Sequence, residues 1–263
     1  MDHIEVDGLR IAYERAGQGP PLILLHGILQ DSRAWRRQLD ALSDDFTVVA
    51  WDAPGCGRSS DPPGTFRLPE YADCLGGFID ALDLEQPHLL GLSLGAALAL
   101  EFYRRRPTCR TLVLASGYAG WAGSLPTAVV AERLDACLRD AELPPDQFVP
   151  SWIPGLLTDT ASAEMVDETM AMMSDFHPAG YRTMARAMAE ADLRDGLAQI
   201  EVPVLLLYGE LDKRAPLHIA ADLHARIPGS TLVVLPGVGH LSNVEATARF
   251  NGEVRDFLRS SHG

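Results

Sequence analysis

Short apolar runs alternate with amphipathic stretches along most of this chain, and that alternation limits what it can fold into. Residues 22–25, 46–50, 87–90, 111–115, 203–208 and 231–235 are brief and dominated by apolar side chains. Strands of that kind are buried on both faces, as in a parallel sheet covered by helices. Between them lie helical patterns at residues 31–42, opened by Asp31 or Ser32 as cap, at 69–82, opened by Pro69, at 94–106 and at 244–258. Residues 4–6 and 11–14 flank Asp7-Gly8, a turn pair that predicts an opening antiparallel hairpin. The expected fold class is α/β, with a mostly parallel central sheet flanked by helices, and sites in such sheets lie at the carboxyl ends of the strands.

One stretch breaks the alternation. Residues 121–195 contain no convincing strand but helical windows at 127–138, 161–173 and 179–193. We read them as a helical cap inserted into a core made of residues 1–120 and 196–263. Residues 121–200 carry 5 arginines against 13 aspartates and glutamates and are rich in methionine and aromatic side chains. A cap over a site needs such an apolar underside. Trp121, Arg133, Trp152 and His177 from this segment, with Leu241 beyond it, are the expected substrate-binding residues.

The net charge of −14 argues against nucleic acid or an anionic membrane as partner. No apolar run is long enough to span a bilayer, and Met1 to Glu5 lack the basic and apolar regions of a signal peptide, so the expected location is cytoplasmic. Cys56, Cys74, Cys109 and Cys137 show no C-x-x-C spacing and no metal pattern with histidine. They are expected to be reduced thiols, and neither metal nor cofactor is called for.

The chemistry concentrates at Gly91-Leu92-Ser93-Leu94-Gly95, between an apolar strand and the small-residue run Ala96-Ala97-Leu98-Ala99-Leu100. A serine at the apex of a sharp strand-to-helix turn is presented to solvent, and glycines on either side let neighbouring backbone approach. The following helix aims its free N–H groups at any anion forming there. A serine hydroxyl needs a base, and the base needs an anion behind it. His240 follows the strand at 231–235 through Pro236-Gly237-Val238-Gly239, and Asp212 follows the strand at 203–208 in Gly209-Glu210-Leu211-Asp212, with Glu210 as its rival. Ser93, Asp212 and His240 are the expected catalytic residues. The N–H groups of Leu94 and Ile28 are the expected oxyanion donors, the second from the loop His26-Gly27-Ile28-Leu29. His26 is expected to brace that loop, and His88, His218, His224, His3 and His262 to be structural or solvated.

These motifs, together with Asp52-Ala53-Pro54-Gly55-Cys56-Gly57-Arg58-Ser59, resemble the serine-nucleophile branch of the α/β-hydrolase superfamily over nearly the whole chain. The segment Gly239 to Glu245, Phe250-Asn251 and Ala191-Asp192-Leu193-Arg194 are more specifically similar to the 3-oxoadipate enol-lactonase-like hydrolases and esterases. The resemblance gives the Asp52 to Ser59 loop a scaffold role. That group commonly carries Trp-x-x-Arg in the cap, whereas here Val130 stands three residues before Arg133. Its substrate is anionic, and an acidic cap would repel a carboxylate unless Arg133 points inward. The expected function is hydrolysis of a small, mostly neutral carboxylic ester or lactone through an acyl-enzyme. The alternatives are enol-lactone hydrolysis proper, hydrolysis of a carbon–carbon bond in a diketone, and a ligand-binding member with vestigial turnover.

Overall fold

A computed structural model describes residues 1–261; His262 lies outside them. Eight strands form one sheet: β1 (Asp2–Val6), β2 (Leu9–Ala16), β3 (Pro21–Leu25), β4 (Thr47–Trp51), β5 (His88–Leu92), β6 (Thr111–Ala115), β7 (Val204–Gly209) and β8 (Thr231–Leu235). Their spatial order is β1-β2-β4-β3-β5-β6-β7-β8. Strands β3 to β8 pair in parallel, while β2 pairs antiparallel with both β1 and β4. The hairpin turns on Asp7 and Gly8, both with positive φ, as a two-residue primed turn requires.

Strands β4 to β7 are buried at every position, which explains why they read as unbroken apolar runs. The helices α1 (Arg36–Leu42), α2 (Leu68–Ala81), α3 (Leu94–Arg105), α10 (Leu217–Arg226), α11 (Ser242–Glu245) and α12 (Thr247–Ser260) follow the strands. Helix α1 packs against α12 and α2 against α3, forming the layers that cover the sheet. Two expected helices differ in detail. Residues 32–35 form a 3-10 turn leading into α1, with the Asp31 carboxylate accepting from the Arg33 N–H. The closing helix is broken at Ala246, whose φ of −124° and ψ of 43° lie outside the helical region.

Six helices lie between β6 and β7: α4 (Trp121–Ser124), α5 (Thr127–Asp140), α6 (Pro145–Leu156), α7 (Ala163–Ser174), α8 (Pro178–Glu190) and α9 (Arg194–Leu197). Helix α8 packs against α4 and α5, and α6 against α7. No helix among the described residues is long and apolar enough to cross a membrane. All four cysteines are free and buried.

Candidate active site

The carboxyl ends of β3, β5, β6, β7 and β8 open on one narrow cleft, which residues of α4, α5 and α6 also line. Ser93 stands between β5 and α3 with φ 55° and ψ −109°, a left-handed conformation that costs a non-glycine residue energy and that packing must enforce. The neighbouring glycines enforce it. A Cβ on Gly91 would lie 2.2 Å from the Gly95 carbonyl oxygen, and one on Gly95 would lie 2.0 Å from the Leu25 carbonyl oxygen on β3. The elbow therefore seats directly against the sheet, and the Ser93 N–H donates to the Ala115 carbonyl at 2.9 Å. We predict that Gly95→Ala costs about 3 kcal/mol or more. For a chain of this size a melting curve would register that as a fall of roughly 10 °C.

The side chains of His240 and Asp212 meet. His240 Nδ1 donates to Asp212 Oδ2 at 2.9 Å and to Oδ1 at 3.0 Å, and both residues are buried. Burial by itself would raise the Asp212 carboxyl. The charge and hydrogen bond of His240, the Ala215 N–H and the Ser116 hydroxyl outweigh it and hold the group below the ordinary carboxylate value. Asp212 Oδ1 also accepts the N–H groups of Arg214 at 2.9 Å and Ala215 at 2.8 Å. Glu210 is exposed and accepts the Gly237 N–H at 2.8 Å instead.

The loop carrying His240 is tied down by a residue that sequence reasoning passed over. Glu245 accepts the Gly239 N–H through Oε2 and the Thr158 N–H and hydroxyl through Oε1, at 2.6 to 2.8 Å. The Leu241 N–H donates to the Leu156 carbonyl at 3.0 Å, so the His240 loop is pinned to α6 and the turn after it.

His26 braces its loop as expected. Nε2 accepts the Ala53 N–H at 3.0 Å, which places the proton on Nδ1, and Nδ1 donates to the Gly27 carbonyl at 2.8 Å. Burial, the largest influence on this ring, lowers its pKa and keeps it neutral, outweighing the hydrogen bond and nearby carboxylates that favour its charged form. Asp52 receives the Ser32 and Arg58 N–H groups, each at 2.8 Å, and gives the loop after β4 its scaffold role. His88 is buried against the Thr111 hydroxyl. His218 and His224 are exposed on α10, and His3 is exposed on β1.

The cleft brings together Ser93, His240, Leu241, Ile28, Trp121, Arg133 and Trp152. Leu94 begins α3 beside Ser93, where a first-turn N–H has no acceptor within its helix. His177 is not brought to this cleft. It lines a neighbouring cavity with Cys56 and Tyr181. Its ring is held by the Asp61 carboxylate at 2.7 Å and the Gly57 carbonyl at 3.1 Å, so it ties α8 to the core.

The further residues that line the cleft include Tyr118 after β6 and Arg214 two positions beyond Asp212. The Arg214 guanidinium lies 3.8 Å from the centre of the Trp152 ring. Arg133 points inward: it donates to the Tyr118 hydroxyl at 3.1 Å and the Arg214 carbonyl at 3.0 Å, and lies over the Tyr118 and Trp121 rings. Three carboxylates of the segment between β6 and β7 face elsewhere. Asp175, Glu168 and Glu190 form ion pairs with the core residues Arg33, Arg37 and Arg67 at 2.7 to 2.8 Å. Three of the segment's acidic residues thus tie it to the core, and among the described residues no Asp or Glu side chain lines the cleft.

The chain belongs to the alpha/beta hydrolase family, whose model matches residues 22–253. It is an enzyme of the esterase type. The 3-oxoadipate enol-lactonase 2 of Acinetobacter baylyi is 28% identical over 270 residues, covering 98% of this chain and 96% of that one. A thermophilic esterase from Thermogutta terrifontis, solved with malate bound, superposes with a TM-score of 0.93 at 28% identity, covering 100% of both chains. A hydrolase from Pseudomonas aeruginosa PA01 gives 0.86 at 33% identity, covering 98% of this chain and 97% of that one.

Proposed function

We propose that the protein is a serine hydrolase that cleaves a small carboxylic ester or lactone through an acyl-enzyme. The observation that carries this reading is the bond pair from His240 Nδ1 to the Asp212 carboxylate, in a ring whose residue shares the cleft with Ser93. With Nδ1 committed as a donor, a neutral ring leaves Nε2 as the acceptor for the Ser93 proton.

The steps follow from these groups. Ser93 Oγ attacks the carbonyl carbon while His240 Nε2 takes its proton, and Asp212 stabilises the imidazolium. The N–H groups of Leu94 and Ile28 hold the carbonyl oxygen as it becomes an oxyanion. The imidazolium protonates the leaving alkoxide, which departs as the alcohol or, from a lactone, stays as a hydroxyl on the acyl chain. Water then attacks the acyl-enzyme with His240 again as base, releasing the acid and restoring Ser93.

A fluorophosphonate probe tests the assignment directly. Ser93 Oγ is expected to displace the fluoride and carry the adduct, located by peptide mass mapping, and His240→Ala is expected to suppress labelling at least tenfold. Labelling at another serine, or none, would overturn the reading.

A further inference from the structure

One side chain in the cleft keeps a hydrogen-bond donor that the protein does not use. Gln30 is 5% exposed and lines the cleft together with Gly27, Ile28 and Ser93. Its Oε1 accepts the Gly27 N–H at 2.9 Å, which fixes the sense of the amide, because an N–H there requires an acceptor. The Gly27 carbonyl accepts from His26 Nδ1, so both polar groups of Gly27 are taken and the peptide that carries the Ile28 N–H is held in place. No described residue accepts from Gln30 Nε2, which therefore keeps its N–H donors free. Unlike Trp35 Nε1 and Ser32 Oγ, this nitrogen is not sealed within the packing.

The free donor lies on the substrate side of its loop. Gln30 also borders the adjoining cavity with its chain neighbours Leu29 and Asp31, but its carboxamide lies against Gly27, where a Cβ would meet Oε1 at 2.9 Å and the amide carbon at 3.6 Å. Gly27 and Ile28 line the cleft and not that cavity. Other donors of the cleft are spent within the protein: the Tyr118 hydroxyl donates to the Arg214 carbonyl and the Trp152 indole to Asp140. A buried donor without a partner favours a ligand that supplies an acceptor and disfavours one that does not. The same loop carries the Ile28 N–H assigned to the acyl carbonyl oxygen, and the acyl group stays on Ser93 through both half-reactions. We propose that Gln30 Nε2 donates to an uncharged oxygen in the acyl part of the substrate, a hydroxyl, ether or keto oxygen beyond the scissile carbonyl, and that Gln30 is thereby a specificity-determining residue. This rests on the hydrolase reading above.

The test uses two pairs of 4-nitrophenyl esters in which one CH₂ is replaced by oxygen: butyrate against methoxyacetate, and pentanoate against 3-methoxypropanoate. The ratio of kcat/KM within a pair is compared between variants, so intrinsic ester reactivity and any loss common to both members cancel. Gln30→Met, of similar size, is expected to lower the ether-to-alkyl ratio roughly 3- to 10-fold in at least one pair. Gln30→Glu separates the donor from the brace, because it keeps an acceptor for the Gly27 N–H and, once ionised, has no donor. Its ratio at the alkaline end of the active range is expected to fall to the Q30M value or below. Calorimetric binding of 4-methoxy-2-butanone and its isostere 2-hexanone supplies a readout independent of turnover, and Q30M is expected to lower the ether-to-alkyl ratio of affinities at least threefold. Ester turnover with both ratios in Q30M within twofold of wild type, or a Q30E ratio that stays at the wild-type value, would overturn the donor and leave the hydrolase standing. Turnover of none of the esters, with a ketone preference that Q30M removes, would overturn the hydrolase reading and support the donor.

Discussion

Ser93→Ala is expected to lower kcat for 4-nitrophenyl butyrate by about 10⁴- to 10⁶-fold while leaving the melting temperature within about 2 °C of wild type, a difference of under about 1 kcal/mol. The two halves of that prediction have separate causes. The elbow is held by backbone: the Ser93 N–H donates to Ala115, its carbonyl accepts from Ala96, and Gly95 seats against β3. Alanine keeps each of these and suffers the same positive φ as serine. Only the hydroxyl is removed, and with it the acyl-enzyme. Residual hydrolysis would come from the oxyanion donors acting on bound ester and water. Removing His240 as well should cost less than another tenfold, because two groups serving one proton transfer are not additive. Turnover in S93A within 100-fold of wild type would refute the assignment of the nucleophile.

What could be read in the sequence follows a physical division. Ser93, Asp212 and His240 each stand after a short apolar strand, so local pattern alone sets them at one edge of a parallel sheet, and topology brings them together. The side chains contributed by the cap obey no such rule. Helix α6 escaped detection because Pro144, Pro145, Pro150 and Pro154 read as breakers. Pro145 is harmless in the first turn, and the two internal prolines are tolerated because Phe148 and Trp152 bury themselves against Tyr181, and Phe148 also against Phe176. Tertiary packing overrides propensity there. Missing α6 also hid the place of Arg214, since Lys213-Arg214 after the acid looks like a solvated charge pair until Trp152 supplies the face on which Arg214 lies. The summed charge of residues 121–200 misled for a related reason: a sum has no direction, and Asp175, Glu168 and Glu190 pair with core arginines while Arg133 points inward.

Asp212→Asn is expected to lower kcat about 10⁴-fold at neutral pH with the fold intact, through the His240 tautomer. Asp212 Oδ1 accepts two backbone N–H groups, from Arg214 and Ala215. An asparagine would keep its carbonyl oxygen at that position, because an amide nitrogen there would face two donors. The NH₂ group then replaces Oδ2 and donates to His240 Nδ1, which places the ring proton on Nε2. A ring protonated at Nε2 cannot accept the Ser93 proton, so the base is disabled although no atom has moved. The variant separates orientation from charge: Asp212→Glu keeps the anion but displaces it, and should retain more activity than Asp212→Asn if the tautomer is what matters. Stability provides a second check. Because the folded Asp212 carboxyl lies below its ordinary value of 3.8, its ionised form stabilises the native state above that value, and the contribution fades as pH falls through the folded pKa. D212N lacks this dependence, so its melting temperature should decline less steeply than that of wild type on acidification below about pH 4. Activity of D212N within tenfold of wild type at pH 7 would exclude Asp212 as the orienting acid.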